Sequence, residues 1–115
     1  MAKKTLPIYK TPTAERKIIE IIKWSARKWG EKTAREYIAN IEQVINSVAS
    51  GALPCKKNPE FSTRFSYCTV KRHYIFFEHK DDKLIVATIF HTSMKIKDRI
   101  REENLSVSHE IDDIE

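Results

Sequence analysis

Alternating apolar positions are clearest between residues 74 and 94, where two β-branched and aromatic runs flank the charged segment Lys80-Asp81-Asp82-Lys83. Such runs predict an antiparallel β-hairpin. Because the tip lacks glycine, a two-residue type I′ turn at Asp81-Asp82 is possible but is not favoured over a four-residue loop built on a type I turn. Apolar side chains alternate onto both faces of both strands, so the sheet needs cover on each face. We expect helices to cover one face, and the C-terminal segment or another molecule to cover the second.

Two amphipathic helices are predicted before this hairpin. Thr11 followed by Pro12 is typical of a helix start, because threonine caps free N–H groups and proline lacks one. Gly30 and Gly51 are predicted to end the first and second helix. The apolar stripe of the first helix comprises Ala14, Ile18, Ile21, Ile22, Ser25 and Trp29, and that of the second comprises Ala34, Tyr37, Ile38, Ile41, Val44, Ile45 and Val48. We expect Trp29 to pack in the core and Trp24 to be partly exposed.

The other elements complete an α+β fold in the order β-α-α-β-β-β-α. Residues 5–9 contain Pro7 and predict an N-terminal edge strand, residues 64–70 predict the first strand of the antiparallel sheet, and residues 95–103 predict a short C-terminal helix. The helical hairpin is expected to pack on the sheet. We predict one domain over residues 1–103 and an acidic, mobile tail over residues 104–115.

Composition and cysteine content narrow the class of protein. The chain has 115 residues, 41% hydrophobic and 32% charged, which is typical of one globular domain. It has no apolar run long enough to span a membrane, and we expect a cytoplasmic protein. Cys55 and Cys68 are expected to be reduced thiols, although their spacing also permits a bond between them. Both glycines are assigned to helix ends, which excludes Rossmann and Walker phosphate loops.

Charge is unevenly distributed along the chain. Residues 1–101 hold all 21 Lys and Arg residues but only 10 of the 16 acidic residues, a net charge of +11, whereas residues 102–115 hold the other six acidic residues. A basic body indicates an anionic partner, either nucleic acid or an acidic protein segment. A plain nucleic-acid-binding module would bind DNA with strong salt dependence.

Four motifs, in this order, resemble the RelE/ParE toxin superfamily and its ParE branch in particular. They are WGEKTAREY at residues 29–37, Arg64 before the first sheet strand, HYIFF at residues 73–77, and IFHTSM at residues 89–94. The resemblance covers about residues 9–101. Ser93 and Lys95 depart from it, since a basic residue and an aspartate are common at those positions.

The resemblance implies the toxin of a type II toxin–antitoxin system. Such toxins are neutralised by an antitoxin whose flexible C-terminal segment wraps the sheet and helices. ParE-like members poison DNA gyrase by contact, which implies growth inhibition without catalysis by the toxin itself. The alternative is a ribosome-dependent mRNA endoribonuclease of the RelE branch, with Arg64, Arg72 and His91 as candidate catalytic residues that would move protons and stabilise charge.

Candidate partner-binding residues follow from these motifs and from the basic cluster before the hairpin. They are Arg64, Lys71, Arg72, His73, His91 and Met94. Simpler roles stay open, because Arg64 also fits an ion pair with Glu60 or Glu78 and His91 fits a hydrogen-bonded strand end. No cofactor is predicted, and the histidines and cysteines lack the spacing of metal ligands.

Overall fold

The computed structural model describes residues 5–92 and 96–114. Its elements are β1 (Ile8–Lys10), α1 (Pro12–Trp29), α2 (Glu31–Ala49), β2 (Ser66–Val70), β3 (His73–Lys80), β4 (Lys83–His91) and α3 (Ile96–Asp112). The predicted α+β fold and element order are confirmed. None of the described helices is long and apolar enough to cross a membrane.

The four strands form one mixed sheet in the order β1-β4-β3-β2. β2, β3 and β4 are antiparallel, whereas β1 is an edge strand that pairs in parallel with β4 through Ile8 and Leu84. The sheet is therefore mixed and not wholly antiparallel, because the crossover through α1 and α2 returns the chain in the same direction. The β3–β4 loop has two residues, Asp81 and Asp82, both at positive φ, which is the shorter of the two loops that the sequence left open. Aspartate tolerates this left-handed region better than most residues.

The helical hairpin covers one face of the sheet. Thr11 is the N-cap of α1, where its hydroxyl accepts a hydrogen bond from Ala14 N at 3.0 Å and donates one to the carbonyl of Ala87 at 2.7 Å. Gly30 alone joins the two helices at a φ of 91°, and Gly51 follows α2 at a φ of 81°, so both predicted helix ends are confirmed. The core on this face includes Ala14, Ile18, Tyr37, Ile41, Ile45, Cys68, Ile75, Phe77, Leu84, Val86 and Ile89.

The opposite face of the sheet is covered by α3, so the C-terminal segment supplies the second cover. Ile100, Val107 and Ile111 from α3 are buried against Phe65, Phe76, Ile85, Ala87 and Phe90. The helix has 17 residues and continues through Asp112, so the prediction of a short helix is wrong. Residues 104–112, expected in a mobile tail, are helical and contribute to the core because Val107 and Ile111 follow Ile100 at helical spacing.

Acidic residues of α3 attach the helix to the remainder of the fold. Glu110 accepts hydrogen bonds from Thr13 N at 2.7 Å and from the Thr13 hydroxyl at 2.6 Å, at the positive end of α1. Asp112 lies 3.2 Å from both Arg64 Nη2 and Lys80 Nζ. The Lys80 ammonium, and to a smaller extent the Arg64 guanidinium, holds the pKa of Asp112 below its usual value. The acidic end of the chain thus pairs with part of the basic body.

Candidate partner-binding surface

A cleft of about 560 Å³ lies between α1, α3 and the ends of β3 and β4. Its walls combine aromatic, cationic and acidic side chains that converge from distant parts of the sequence. They include Lys17, Trp24, His73, His91, Arg99 and Glu103. The sequence predicted two of these, His73 and His91, as partner-binding residues. It also predicted that Trp24 is partly exposed, and the exposure of Trp24 is confirmed.

Lys17 forms the centre of a polar cluster in this cleft. Its ammonium lies 2.8 Å from each carboxylate oxygen of Glu103, 2.9 Å from the Thr88 hydroxyl, and 3.6 Å from the centre of the Phe90 ring. Burial lowers the pKa of Lys17, while the Glu103 carboxylate acts in the opposite direction. Sequence reasoning missed this cluster, because its members come from α1, β4 and α3 and share no local motif.

His73 lies beneath the cleft and is held in its neutral form. The Tyr37 hydroxyl hydrogen-bonds to His73 Nδ1, and the ring centres of His73 and His91 are 5.1 Å apart. Burial, followed by the neighbouring His91, lowers the pKa of His73 to about 4. Burial also raises the pKa of Tyr37. His73 therefore fixes the helical hairpin against the start of β3, and its buried ring presents little surface to a partner.

Lys71 and Arg72 form the two-residue turn between β2 and β3, at the same end of the sheet as the cleft. Both side chains are exposed, and neither forms an ion pair with another described residue. Lys71 has a φ of 51°, in the left-handed region that a long side chain seldom adopts. The Arg72 carbonyl accepts a hydrogen bond from Thr92 N at 2.8 Å, which fixes this turn to the end of β4. The turn is thus a fixed cationic projection beside His91.

Arg64 lies at the opposite end of β3. Its guanidinium pairs with Glu78 at 3.0 Å and with Asp112 at 3.2 Å, as one of the two simpler interpretations predicted. The hydrogen bond to Glu78 is the largest cause of the raised pKa of Arg64. Glu78 lies five positions along β3 from His73, a distance of about 17 Å. The structure therefore brings Lys71, Arg72, His73 and His91 together and places Arg64 apart from them, while Met94 lies outside the described residues.

A second apolar stripe of α1 faces solvent instead of the sheet. Ile19, Ile22, Ala26 and Trp29 succeed each other at helical spacing, and Ile22 and Ala26 line a groove of about 510 Å³ that α2 completes with Ala34, Ile38 and Ala39. Trp29 is 46% exposed and stacks edge-to-face on Trp24, 45% exposed, with ring centres 5.0 Å apart. The prediction that Trp29 is a core anchor is wrong, because it is the last residue of α1, next to the hairpin joint, where the described structure leaves it largely uncovered.

The fold and its solvent-facing apolar and cationic surfaces define a small α+β protein suited to binding other macromolecules. A solved structure described as the chromosomal ParDE TA system from P. aeruginosa has this fold, with a TM-score of 0.67 and 13% sequence identity over 77% of this chain and 98% of that chain. Toxin ParE from Escherichia coli is 31% identical over 91 residues, which cover 78% of this chain and 88% of that protein. The family model for the ParE toxin of the type II toxin–antitoxin system parDE matches residues 8–96. The chain therefore belongs to the ParE toxin family.

Proposed function

We propose that this ParE-family toxin inhibits growth in the cytoplasm by binding and poisoning DNA gyrase, and that a cognate antitoxin neutralises it. The observation that carries the proposal is the family match over residues 8–96, which includes the whole helical hairpin and sheet. ParE-like toxins act on gyrase by contact. The exposed cationic turn at Lys71 and Arg72 gives this chain a surface suited to an anionic protein or a protein–DNA complex.

The positions of the three nuclease candidates argue against the endoribonuclease alternative. Arg72 and His91 lie at one end of the sheet, whereas the Arg64 guanidinium is engaged by Asp112 and by Glu78, which lies about 17 Å along β3 from His73. An RNA-cleaving site needs its base and its cations around one phosphate. These three residues do not form such a site in the described structure, so the contact mechanism is preferred.

The groove between α1 and α2 is our proposed antitoxin site. Its apolar floor of Ile22, Ala26 and Ile38 is bordered by Arg35 and Glu31, and this arrangement suits the apolar face of an amphipathic helix. Trp29, which is exposed and continues the same stripe of α1 beyond Ala26, enlarges the apolar area that such a segment would cover. The net charge of +11 over residues 1–101 favours an acidic segment.

A paired assay tests the gyrase proposal. Purified chain is added to a gyrase supercoiling reaction and, at the same concentrations, to ribosomes translating a defined message. Loss of supercoiling or trapped cleaved DNA, with intact message, is the expected result. Codon-dependent message cleavage with unaffected gyrase would establish the RelE-type activity instead and overturn the proposal.

Charge-reversal variants locate the surface that acts on gyrase. We expect Lys71→Glu with Arg72→Glu to weaken inhibition at least tenfold, because two exposed cations become anions at the proposed contact. The matched control is Lys57→Glu with Arg101→Glu, which makes the same change in net charge at exposed positions elsewhere. Equal loss in both double variants would point to net charge alone and contradict a local contact.

Calorimetric titration with an antitoxin encoded beside this chain tests the groove. Ile22→Glu is expected to weaken binding at least tenfold, because it puts a charge on the apolar floor. Leu105→Glu is the control, since Leu105 is 70% exposed on α3, away from the groove. Unchanged affinity for the Ile22 variant, or equal loss in both, would exclude the groove as the antitoxin site.

A further inference from the structure

Two cysteines lie opposite each other at the free edge of the sheet. β2 is an edge strand, and the loop before it returns along that edge. Lys56 and Tyr67 form an antiparallel bridge in which each N–H donates to the other residue's carbonyl at 2.8 Å. Cys55 and Cys68 are the next pair in the same register. A loop segment thus covers part of the edge that β2 would otherwise present to solvent.

The register gives this pair the geometry of a cross-strand disulfide. Because Lys56 and Tyr67 exchange both hydrogen bonds, Cys55 and Cys68 form a non-hydrogen-bonded pair, whose Cα atoms are typically about 4.5 Å apart. Disulfides span Cα separations from about 4.4 to 6.8 Å. The two sulfur atoms share a hydrogen bond at 3.6 Å, and both thiols are free. Closing the bond therefore requires little movement of the backbone.

The surroundings distinguish the two thiols chemically. The hydrogen bond shared with Cys55, and to a smaller extent the Lys56 ammonium, lowers the pKa of Cys68 against the effect of burial. The same hydrogen bond raises the pKa of Cys55. Thiolates rather than thiols are the nucleophiles in oxidation. Cys68 is buried, whereas Cys55 is partly exposed and so more accessible to an oxidant, and the two sulfur atoms are in contact. Whichever sulfur is oxidised first therefore has its partner within reach.

We propose that Cys55 and Cys68 are a modification site at which hydrogen peroxide forms an intramolecular disulfide, fastening residues 55–57 to the free edge of β2. One of the two thiolates attacks one peroxide oxygen, the O–O bond breaks, and the departing hydroxide takes a proton to form water, which leaves a sulfenic acid. The other thiolate attacks that sulfur, the S–O bond breaks, and the departing hydroxide takes a proton to leave as a second water. Two thiols and one peroxide thus give one disulfide and two waters.

The Cys55–Cys68 disulfide would restrict the loop before β2 more than it would change the sheet. It closes a ring from Cys55 to Cys68 and so restricts the unfolded chain, an effect that grows with loop length. In the folded chain it holds the Lys56–Tyr67 bridge closed, which keeps the backbone groups of the β2 edge paired. The inference does not depend on gyrase as the target, because its readouts are local chemistry and stability.

The experiment treats the reduced full-length chain with hydrogen peroxide, beside Cys55→Ser, Cys68→Ser and the double serine variant. We expect the wild-type monomer to lose the mass of two hydrogen atoms, to become unreactive to maleimide, and to melt on the order of 10 °C higher. Hydrogen exchange at the amides of Lys56 and Tyr67 should slow. A dithiol reductant should reverse all four changes, and the double variant should show none of them.

The single variants test whether the disulfide forms through a sulfenic acid. With its partner thiol removed, each single variant should accumulate a sulfenic acid that dimedone traps, instead of an intramolecular disulfide. Overturning results are a wild-type chain that retains both thiols, gains oxygen atoms without forming a disulfide, or forms only disulfides between molecules. Oxidation without slower exchange at Lys56 and Tyr67 would refute the fastening of the edge.

Discussion

Ile111 provides a direct test of whether α3 is part of the hydrophobic core. It is fully buried against the face of the sheet that carries Phe65, Phe76 and Ile85. Ile111→Ala removes three carbon atoms from this site, worth about 2.4 kcal/mol at roughly 0.8 kcal/mol each. The cavity left behind increases the loss, while the higher helix propensity of alanine returns a few tenths of a kcal/mol. We expect a net loss of about 3 kcal/mol.

Urea unfolding followed by circular dichroism measures this loss. With a slope of about 1.5 kcal/mol per molar urea, a loss of this size lowers the midpoint by about 2 M. The control is Leu105→Ala in the same helix, because Leu105 is 70% exposed and exposed substitutions seldom change stability by more than about 0.5 kcal/mol. The two variants thus compare a buried and an exposed position on one element.

Two results would refute the reasoning. One is an equally small midpoint shift for the Ile111 and Leu105 variants, which would mean that the end of α3 does not pack on the sheet. The other is a chain lacking residues 104–115 that unfolds at the wild-type midpoint. That outcome would support the mobile tail that the sequence predicted. From the structure we expect the truncated chain to lose more free energy of unfolding than Ile111→Ala does, since the truncation also removes Val107.

Three further substitutions test the hydrogen bonds and charges of the fold. The pKa of His73 is about 4 in the folded chain and about 6.5 in the unfolded chain. Between these two pH values the unfolded state binds more protons, so the free energy of unfolding falls by about 2 kcal/mol from pH 7 to pH 5. In His73→Gln, the decrease in urea midpoint between pH 7 and pH 5 should be smaller by the contribution of this histidine. Thr11→Ala should lower stability by about 2 kcal/mol in thermal unfolding, and Thr11→Ser by clearly less, because serine keeps both hydrogen bonds; equal losses would contradict the capping role. Lys17→Met should cost about 1–2 kcal/mol by leaving Glu103 half-buried without its cation, and a double-mutant cycle with Glu103→Gln should give a coupling above about 0.5 kcal/mol.

Local patterns in the sequence predicted the elements of the fold but not their relative placement. The N-cap at Thr11, the glycine helix ends and the order of elements follow from short-range chemistry and are confirmed. The parallel pairing of β1 depends on the path of the chain through two helices, which three strand residues do not encode. The length of α3 was missed because only Val107 and Ile111 continue its stripe among serines and acidic residues.

The candidate surface was predictable where it depends on adjacent residues and not where it depends on packing. The basic turn before the hairpin, with Lys71 and Arg72, is visible as a run of charge, and its exposure agrees with that interpretation. The burial of His73 was not visible, because it depends on Tyr37 from a helix 36 residues earlier in the chain. Periodicity assigned Trp29 to the core stripe, since spacing gives the face of a helix but not whether another element covers its end.

The parallel pairing of β1 with β4 also has a consequence for the way the toxin is made. Thr11, directly after β1, bonds to Ala87, 76 residues later, and Thr13 bonds to Glu110, 97 residues later. A ribosome therefore releases the first strand and the start of α1 well before their partners have been synthesised. Contacts that join distant segments form slowly, since the intervening chain must first be brought together. The helical hairpin can fold early on local contacts, but the complete fold arises only after Glu110 has been synthesised.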